Sequence, residues 1–466
     1  MECFFNPKSV AVVGASRDPV SVGYGVLKNL ISGSAFRCKN SYSFPGKVYA
    51  INPFAEEILG IKCHPGVMAV NEGIDLAVVC VPAAIVPSVI RDCAEKKVGA
   101  VIILSAGFAE AGEQGKKLQD EIVSILSKAK IPMLGPNCLG IIRPASELNA
   151  SFAPATPPKG SIALISQSGA LADSVIDWSI EERYGFSAII SLGNKAMLDF
   201  ADFIDKLSTD KETKVITLYI EGVNDGRAFM KSCRLASMRK PIVALKAGRS
   251  AEGAKAITSH TASLAGSYQL FQAAFRQSGV IEAETIEDMF DIAKALADQP
   301  PLKENSIAIV TNGGGCGVLC ADYCRKLGIN LAELRPQALA KLDASGKMHP
   351  AYSRRNPLDI VGDALPERYD AAINILLAER NVSGLIVIQT LQTMTNSEED
   401  ANIIIKAHKM HPDKPIVCVY MGGKYIKAGV NLLEAHKIPD YNDPAKAARA
   451  MWALLKRQEL LKKIKN

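Results

Sequence analysis

The sequence predicts an α/β protein made of three doubly wound units. Two observations carry that prediction. Short, continuous apolar and β-branched runs alternate with helical stretches along the whole chain, and two proline-containing passages divide the series in three. The first unit takes strands at Ser9–Gly14, Lys47–Asn52, Leu76–Val81, Ala100–Leu104 and Ile131–Leu134, with helical patterns such as Glu113–Lys130 between them. Their unbroken apolar character fits a parallel sheet covered on both faces. Pro154–Lys159 marks the first boundary. The second unit follows with Ser161–Ser166, Phe186–Leu192, Val215–Ile220, Pro241–Leu245 and Gly279–Glu282. Asp298–Lys303, with two prolines, marks the next boundary, and the third unit holds Ser306–Thr311, Ile329–Glu333, Gly384–Thr390 and Pro415–Tyr420. The expected domains are 1–150, 151–298 and 299–466, the first Rossmann-like and the other two flavodoxin-like.

Composition narrows the class. At 466 residues, 48% hydrophobic and 22% charged, the chain is a globular protein with ample core. The net charge of +6 is scattered, with no basic block to serve as a nucleic-acid track, and Lys456–Lys465 reads as a solvated helix end. No apolar run approaches the roughly 20 residues that span a bilayer, so no membrane association is expected. The opening Met-Glu-Cys-Phe-Phe-Asn-Pro lacks the regions of a signal peptide, so the expected location is cytoplasmic. Eleven cysteines at irregular spacing read as free thiols in small buried positions. Cys316, Cys320 and Cys324 share one helical face, but no further Cys or His stands near them in sequence, and no metal site is expected. The sequence contains no P-loop motif.

Ligands of such sheets bind beyond the carboxyl ends of the strands, so the strand-end loops are the candidate sites. The first, from Gly14 through Ala15, Ser16 and Arg17 to Ser21, Val22 and Gly23, can offer backbone amides and a helix start to a phosphate, with Arg17 adding charge. Ser16 occupies the second glycine position of the dinucleotide fingerprint. Asn52-Pro53 stands where an acidic ribose ligand would end the second strand. NAD is therefore disfavoured, leaving another nucleotide-bearing ligand or a plain tight turn. Val81-Pro82, Ser105-Ala106-Gly107 and Asn137-Cys138 lie in further strand-end loops of that edge; Cys138 has no sequence-near base and reads as lining rather than as a nucleophile. In the second unit Ser166-Gln167-Ser168-Gly169-Ala170 opens a helix and makes an anion cradle, and Gly193-Asn194 follows the next strand.

Six histidines occur, and His260 alone stands among small, hydroxyl-rich residues, within Gly248–Ser267. Such a setting leaves an imidazole approachable from both sides, as a group carrier requires; a satisfied structural histidine is the alternative. Glu221 ends the strand before, where a carboxylate can accept one imidazole N–H and leave the other nitrogen nucleophilic, or can be a solvated turn residue.

The segments Val13–Ser16, Ile51–Pro53, Gly135–Gly140, Ser166–Ala170, Tyr219–Gly222, Lys246–Ser250, Ser259–Thr261 and Asn356–Asp359 together resemble, in order and across essentially the whole chain, the α subunits of the NDP-forming acyl-CoA synthetases, the succinyl-CoA synthetase superfamily. The nearest look is to the α chains of archaeal-type ADP-forming acetyl-CoA synthetases. The resemblance implies a CoA-binding first domain using the strand-end loops of the first unit, then two ligase-like domains. It implies that phosphate, cradled at Ser166–Ala170, attacks an acyl-CoA to give an acyl phosphate and CoA. His260, oriented by Glu221, then takes the phosphoryl group, and its segment swings to deliver that group to ADP. The resemblance places ADP or ATP with Mg²⁺ on an ATP-grasp β subunit in an α2β2 heterotetramer, and makes acetate the default small organic acid. Phe54 stands where many relatives have a lysine after Asn-Pro, so the resemblance does not carry that possible CoA phosphate contact over to this chain. The rival reading is a non-catalytic CoA- or nucleotide-sensing protein on the same folds. An acetyltransferase built on these domains needs an appended catalytic domain, for which the sequence has no fourth segment.

Overall fold

The computed structural model describes residues 1–34, 42–182, 184–261 and 267–465, without side chains at 257–261 and 464–465. The chain divides into two compact units, Met1–Glu282 and Ala283–Asn466. The first unit holds two sheets. In the first sheet the strands run in the order Glu57–Ile58, Ile61–His64, Lys47–Ile51, Ser9–Val13, Leu76–Val79, Ala100–Ile103 and Met133–Leu134. All pair in parallel except the two-residue edge strand Glu57–Ile58. Apart from that edge the order is 3-2-1-4-5-6, the dinucleotide-fold order. Ser9–Val13 sits at its centre, every residue buried, as a strand covered on both faces requires. The sequence reading missed Ile61–His64, whose Ile-Lys-Cys-His lacks the apolar continuity of its neighbours.

The second sheet runs Val280–Glu282, Ile242–Lys246, Val215–Ile220, Lys159–Ser166, Phe186–Ser191, Gly140–Arg143 and Leu148–Ser151. Its parallel part has the flavodoxin-type order 5-4-3-1-2, and its last two strands form an antiparallel hairpin. The expected limit at residue 150 therefore falls inside this sheet: the chain leaves Met133–Leu134 of the first sheet and immediately pairs Ile141 and Ile142 with Ile190 and Ile189 of the second. Gly140 makes the crossing possible. Its φ is +116°, and a Cβ there would stand 2.2 Å from the Ala150 carbonyl oxygen. The buried Asn29 amide, donating to the carbonyls of Ser151 at 2.8 Å and Ala153 at 2.9 Å, fixes the helix Val22–Ser32 against the hairpin. Beneath it Arg143 reaches the carboxylate of Asp210 through two bonds of 2.7 and 3.0 Å and the Ser187 carbonyl at 2.8 Å. Burial raises the Asp210 carboxyl, but the Thr213 hydroxyl and Arg143 outweigh it and hold the group below its ordinary value.

The unit Ala283–Asn466 carries one parallel sheet in the order Leu358–Asp359, Ile307–Thr311, Gly384–Thr390, Ile416–Met421 and Asp440–Tyr441, again 2-1-3-4-5. The helix Ile286–Asp298 packs within this compact unit. Its acidic first turn pairs with the helix Pro444–Lys465 through Asp288–Arg449 and Glu287–Lys446. The expected strand Ile329–Glu333 reduces to a single bridge between Ile307 and Leu331.

A buried pair broken on one side leaves an uncompensated charge, which costs about 3 kcal/mol or more. Arg143→Met should therefore lower the unfolding free energy by about 3 kcal/mol in denaturant titration. Adding Asp210→Leu should recover much of that loss. Because the folded-state value of Asp210 is depressed, its stabilisation is present above the ordinary carboxylate range and is lost as pH falls through the depressed value. Arg143→Met should flatten this acid-side loss.

Candidate active site

The carboxyl ends of the first sheet and the first turns of the second meet in one cleft of about 550 Å³. Close backbone approach builds it. Gly193, at φ +58°, would place a Cβ 2.2 Å from the Pro136 carbonyl oxygen and 2.5 Å from that of Asn137, so only glycine fits where these two turns meet. The Asn194 amide donates to Pro136 at 2.9 Å and that of Ala196 to Gly135 at 3.2 Å. The Asn194 side chain is spread over Glu110, Gln119 at 3.0 Å and Asn137 at 3.3 Å. The two turns are stitched into one wall.

From the first sheet, Val22, Ser105, Ala106, Asn137 and Cys138 line this cleft, as does Cys80. Burial pushes the Cys138 thiol up to about 12, and its sulfur faces the Ile103 carbonyl at 3.4 Å, so it lines the wall as a neutral thiol. The remaining expected positions build the loops. Gly14, at φ +91°, would set a Cβ 2.9 Å from Val81, and a Cβ on Gly23 would fall 2.0 Å from the Gly14 carbonyl oxygen, so the first helix starts in contact with the first strand end. Ser21 caps that helix through the Tyr24 amide at 3.2 Å, and Ser16 accepts the Asp18 amide at 3.1 Å. Asn52, before Pro53, ties its side chain to the Ala15 carbonyl at 2.7 Å and the Phe54 amide at 2.7 Å, a turn-building role. Ser105 donates to the Val81 carbonyl, next to Pro82, and Gly107 at φ +103° gives its amide to Glu110 at 2.6 Å. Arg17 is exposed.

From the second sheet, Gln167, Ser168, Gly169 and Ala170 line the cleft at the start of the helix Gly169–Glu182, with Gly193 and Asn194 beside them. Ser168 caps the helix by accepting the Leu171 amide at 3.2 Å. Ser166 is buried and spans the loop through the Ser168 amide and carbonyl, so it shapes the cradle without facing the cleft. Gln167 accepts the amides of Glu221 at 2.7 Å and Gly222 at 2.9 Å, which locks the tip of Val215–Ile220 to the cradle.

Glu221 is 5% exposed, and the solvated-turn reading is overturned. Two buried lysines that the sequence reading did not assign a role flank it. Lys195 donates to the Gly222 carbonyl at 2.7 Å and lies 3.8 Å from Asp199. Lys246, 1% exposed, donates to the Glu221 carbonyl at 2.9 Å over the Phe271 ring. Burial lowers both ammonium groups, Lys246 to about 8, while the Glu221 charge pulls both back up. A third group that the sequence reading did not single out is Asp173, one turn into the Gly169 helix. It lines the cleft, burial pushes it up to about 6, and its buried Oδ1 has no hydrogen-bond partner among the described residues. The apolar spacing of that helix gave no signal for it.

The backbone of His260 lies in the last turn of the helix Ala251–Thr261; its side chain lies outside the described residues. Among the described residues no helix is long and apolar enough to cross a membrane, and no three His, Cys, Asp or Glu side chains are grouped to hold a metal.

Residues 8–144 match a CoA binding domain model, 159–296 a succinyl-CoA ligase like flavodoxin domain and 307–456 a Ligase-CoA domain. The chain is 41% identical over 458 residues to the α subunit of acetate–CoA ligase (ADP-forming) II of Pyrococcus furiosus, covering 98% of this chain and 97% of that one. It is 43% identical over 455 residues to acetate–CoA ligase (ADP-forming) I of Archaeoglobus fulgidus, covering 97% of this chain but only 63% of that enzyme's length. A solved structure from Ca. Korarchaeum cryptofilum, described as a dinucleotide-forming acetyl-coenzyme A synthetase 1 in complex with phosphate and ADP, is 36% identical with a TM-score of 0.91, covering 99% of this chain and 98% of that one.

The lowered value of Lys246 gives a pH test. A lysine depressed from its ordinary 10.5 to about 8 contributes stability that is present above the ordinary value and is lost as pH falls through about 8. Melting temperatures recorded from pH 7 to about pH 10 should show this rise in the native chain, and Lys246→Met should remove it.

Proposed function

Because this chain belongs to the NDP-forming acyl-CoA synthetases of the succinyl-CoA synthetase superfamily, a family of acid–thiol ligases, we propose that it is the catalytic α subunit of an ADP-forming acetate–CoA ligase. The overall reaction is acyl-CoA, phosphate and ADP to free acid, CoA and ATP, and it is reversible. The observation that carries the reading is the single cleft in which the strand ends of the CoA-binding sheet face the open helix start Ser168–Ala170. A helix N-terminus with free amides favours a bound anion, and the cleft brings a thioester lying along the first sheet against it. Phosphate held there attacks the thioester carbonyl and forms an acyl phosphate. His260 then takes the phosphoryl group and leaves the free acid.

Glu221 suits the orienting role. Its carboxylate is kept in a dry setting, with the ammonium groups of Lys195 and Lys246 favouring its charge and Gln167 holding its backbone. A fixed carboxylate there can hold one imidazole nitrogen and stabilise the phosphorylated ring. Neither sheet of this unit presents a P-loop, so ADP and its Mg²⁺ are assigned to an ATP-grasp β subunit, with α2β2 as the expected assembly and the cytoplasm as its location. Acetate is the substrate by analogy with the named relatives.

Incubating the purified chain with acetyl-CoA and radiolabelled phosphate should give acid-labile, base-stable label on protein. His260→Ala should abolish that label, and Glu221→Gln should reduce its rate on the order of 100-fold. A native chain that binds CoA yet takes no label from any acyl-CoA, with or without the β subunit, would replace this reading with the sensor.

A further inference from the structure

Asp173 is an electrostatic anomaly: a carboxyl group lining the cleft beside the helix start proposed above to hold phosphate. A helical side chain leans toward the N-terminus of its helix and covers the turn before it. Asp173 stands three and four residues after Ala170 and Gly169, so its carboxyl overhangs the first turn, where the phosphate cradle lies, roughly 5–6 Å between neighbouring positions. Gly169 has no side chain to intervene. Two negative groups at that separation repel unless a proton lies between them. The structure supplies no partner to take up that burden: the buried Oδ1 is unbonded among the described residues, and burial alone accounts for the group's rise to about 6.

We propose that Asp173 is the proton carrier of the phosphorolysis step, taking the proton of the phosphate bound at the Gly169 helix start and passing it to the leaving sulfur of CoA. The inference rests on the phosphorolysis reading above. As an ionised oxygen of hydrogen phosphate forms its bond to the thioester carbonyl carbon, the remaining phosphate hydroxyl becomes more acidic and yields its proton to the Asp173 carboxylate. The C–S bond then breaks, its electron pair leaves on sulfur, and the proton moves from Asp173 to that thiolate. The products are the acyl phosphate dianion and neutral CoA thiol, so atoms and charge balance without another reactant.

The other titratable groups of the cleft are unsuited. Burial holds Cys80 and Cys138 as neutral thiols, and the Lys195 ammonium is committed to Gly222 and Asp199. On the same helix Asp177 is exposed and outside the cleft lining. A value near 6 lies between an acylated phosphate and a thiol near 8.5, so the transfer runs downhill in both steps.

The test uses the full chain, alone and with the β subunit, converting acetyl phosphate and CoA to acetyl-CoA and phosphate from about pH 6 to pH 9. In this direction Asp173 deprotonates the thiol. Asp173→Asn should lower kcat about 100-fold at neutral pH with KM for CoA unchanged. The gap should narrow as pH rises and the thiol ionises unaided. Asp177→Asn should behave as the native chain. Asp173→Ala supplemented with formate should regain rate, a rescue that a structural role would not give, and this arm stands even where the Asn variant folds poorly. An undiminished kcat in Asp173→Asn, or a loss that is pH-independent or confined to KM, overturns the proposal while leaving the ligase reading intact. A native chain that forms no acetyl-CoA overturns both.

Discussion

The close contact of two backbone turns, Gly135–Cys138 after the last strand of the first sheet and Gly193–Ala196 in the second, is the constraint from which the rest of the site follows. Two carbonyl oxygens crowd the place where a Cβ of residue 193 would go, and two amides cross from one turn to the other. Sheets of this class bind ligands beyond their strand ends, and an isolated sheet offers only an open edge. Here the two edges are pinned face to face, so the loops of one become the floor and the helix start of the other becomes the wall. The hairpin Gly140–Ser151, paired into the second sheet directly after the first sheet ends, makes that apposition a consequence of chain connectivity. Flexible tethering would leave the gap undefined; this arrangement fixes it.

Electrostatics beside the cleft, at the tip of Val215–Ile220, follow from the same closure. Burying Glu221, Lys195 and Lys246 is costly for each alone; the Glu221 charge favours both ammonium groups, and Asp199 also favours that of Lys195. Gln167 adds no charge but holds both amides beyond the strand tip, which prevents Glu221 from swinging out to solvent. The residue is thus buried, beside two ammonium groups and held by its backbone, the setting an orienting group needs.

Much of the fold was legible because parallel strands covered on both faces announce themselves as unbroken apolar runs. Ser9–Val13, Val215–Ile220 and Gly384–Thr390 are instances. Ile61–His64 lacked that signal at the sheet's rim, and Ile329–Glu333, interrupted by Asn330, pairs only through one bridge. Domain limits were harder, since proline marks a break in local structure and says nothing about which sheet a flanking hairpin joins. At the site, glycine and serine at strand ends pointed to the cradle, and the sequence order of strands placed Glu221 near it. Lys195, Lys246 and Asp173 carried no local pattern, because their roles depend on what the fold packs around them. Asn52 and Ser166, expected to contact a ligand, use their side chains in hydrogen bonds within the loops themselves.

The helix Ala251–Thr261 changes what kind of motion is available to the residue at its far end. Eleven helical residues make a rod of about 16 Å, stiff along its length and joined to the sheet through Ala247–Ser250. At that joint Gly248 takes φ +70° and a Cβ on Gly253 would touch its Cα at 3.0 Å, so the rod is seated in a glycine-lined socket. A group carried on slack chain explores a volume, with its encounter rate diluted accordingly. One mounted on a rod sweeps an arc of set radius, so on the proposed reading both stations of His260 must lie on that arc.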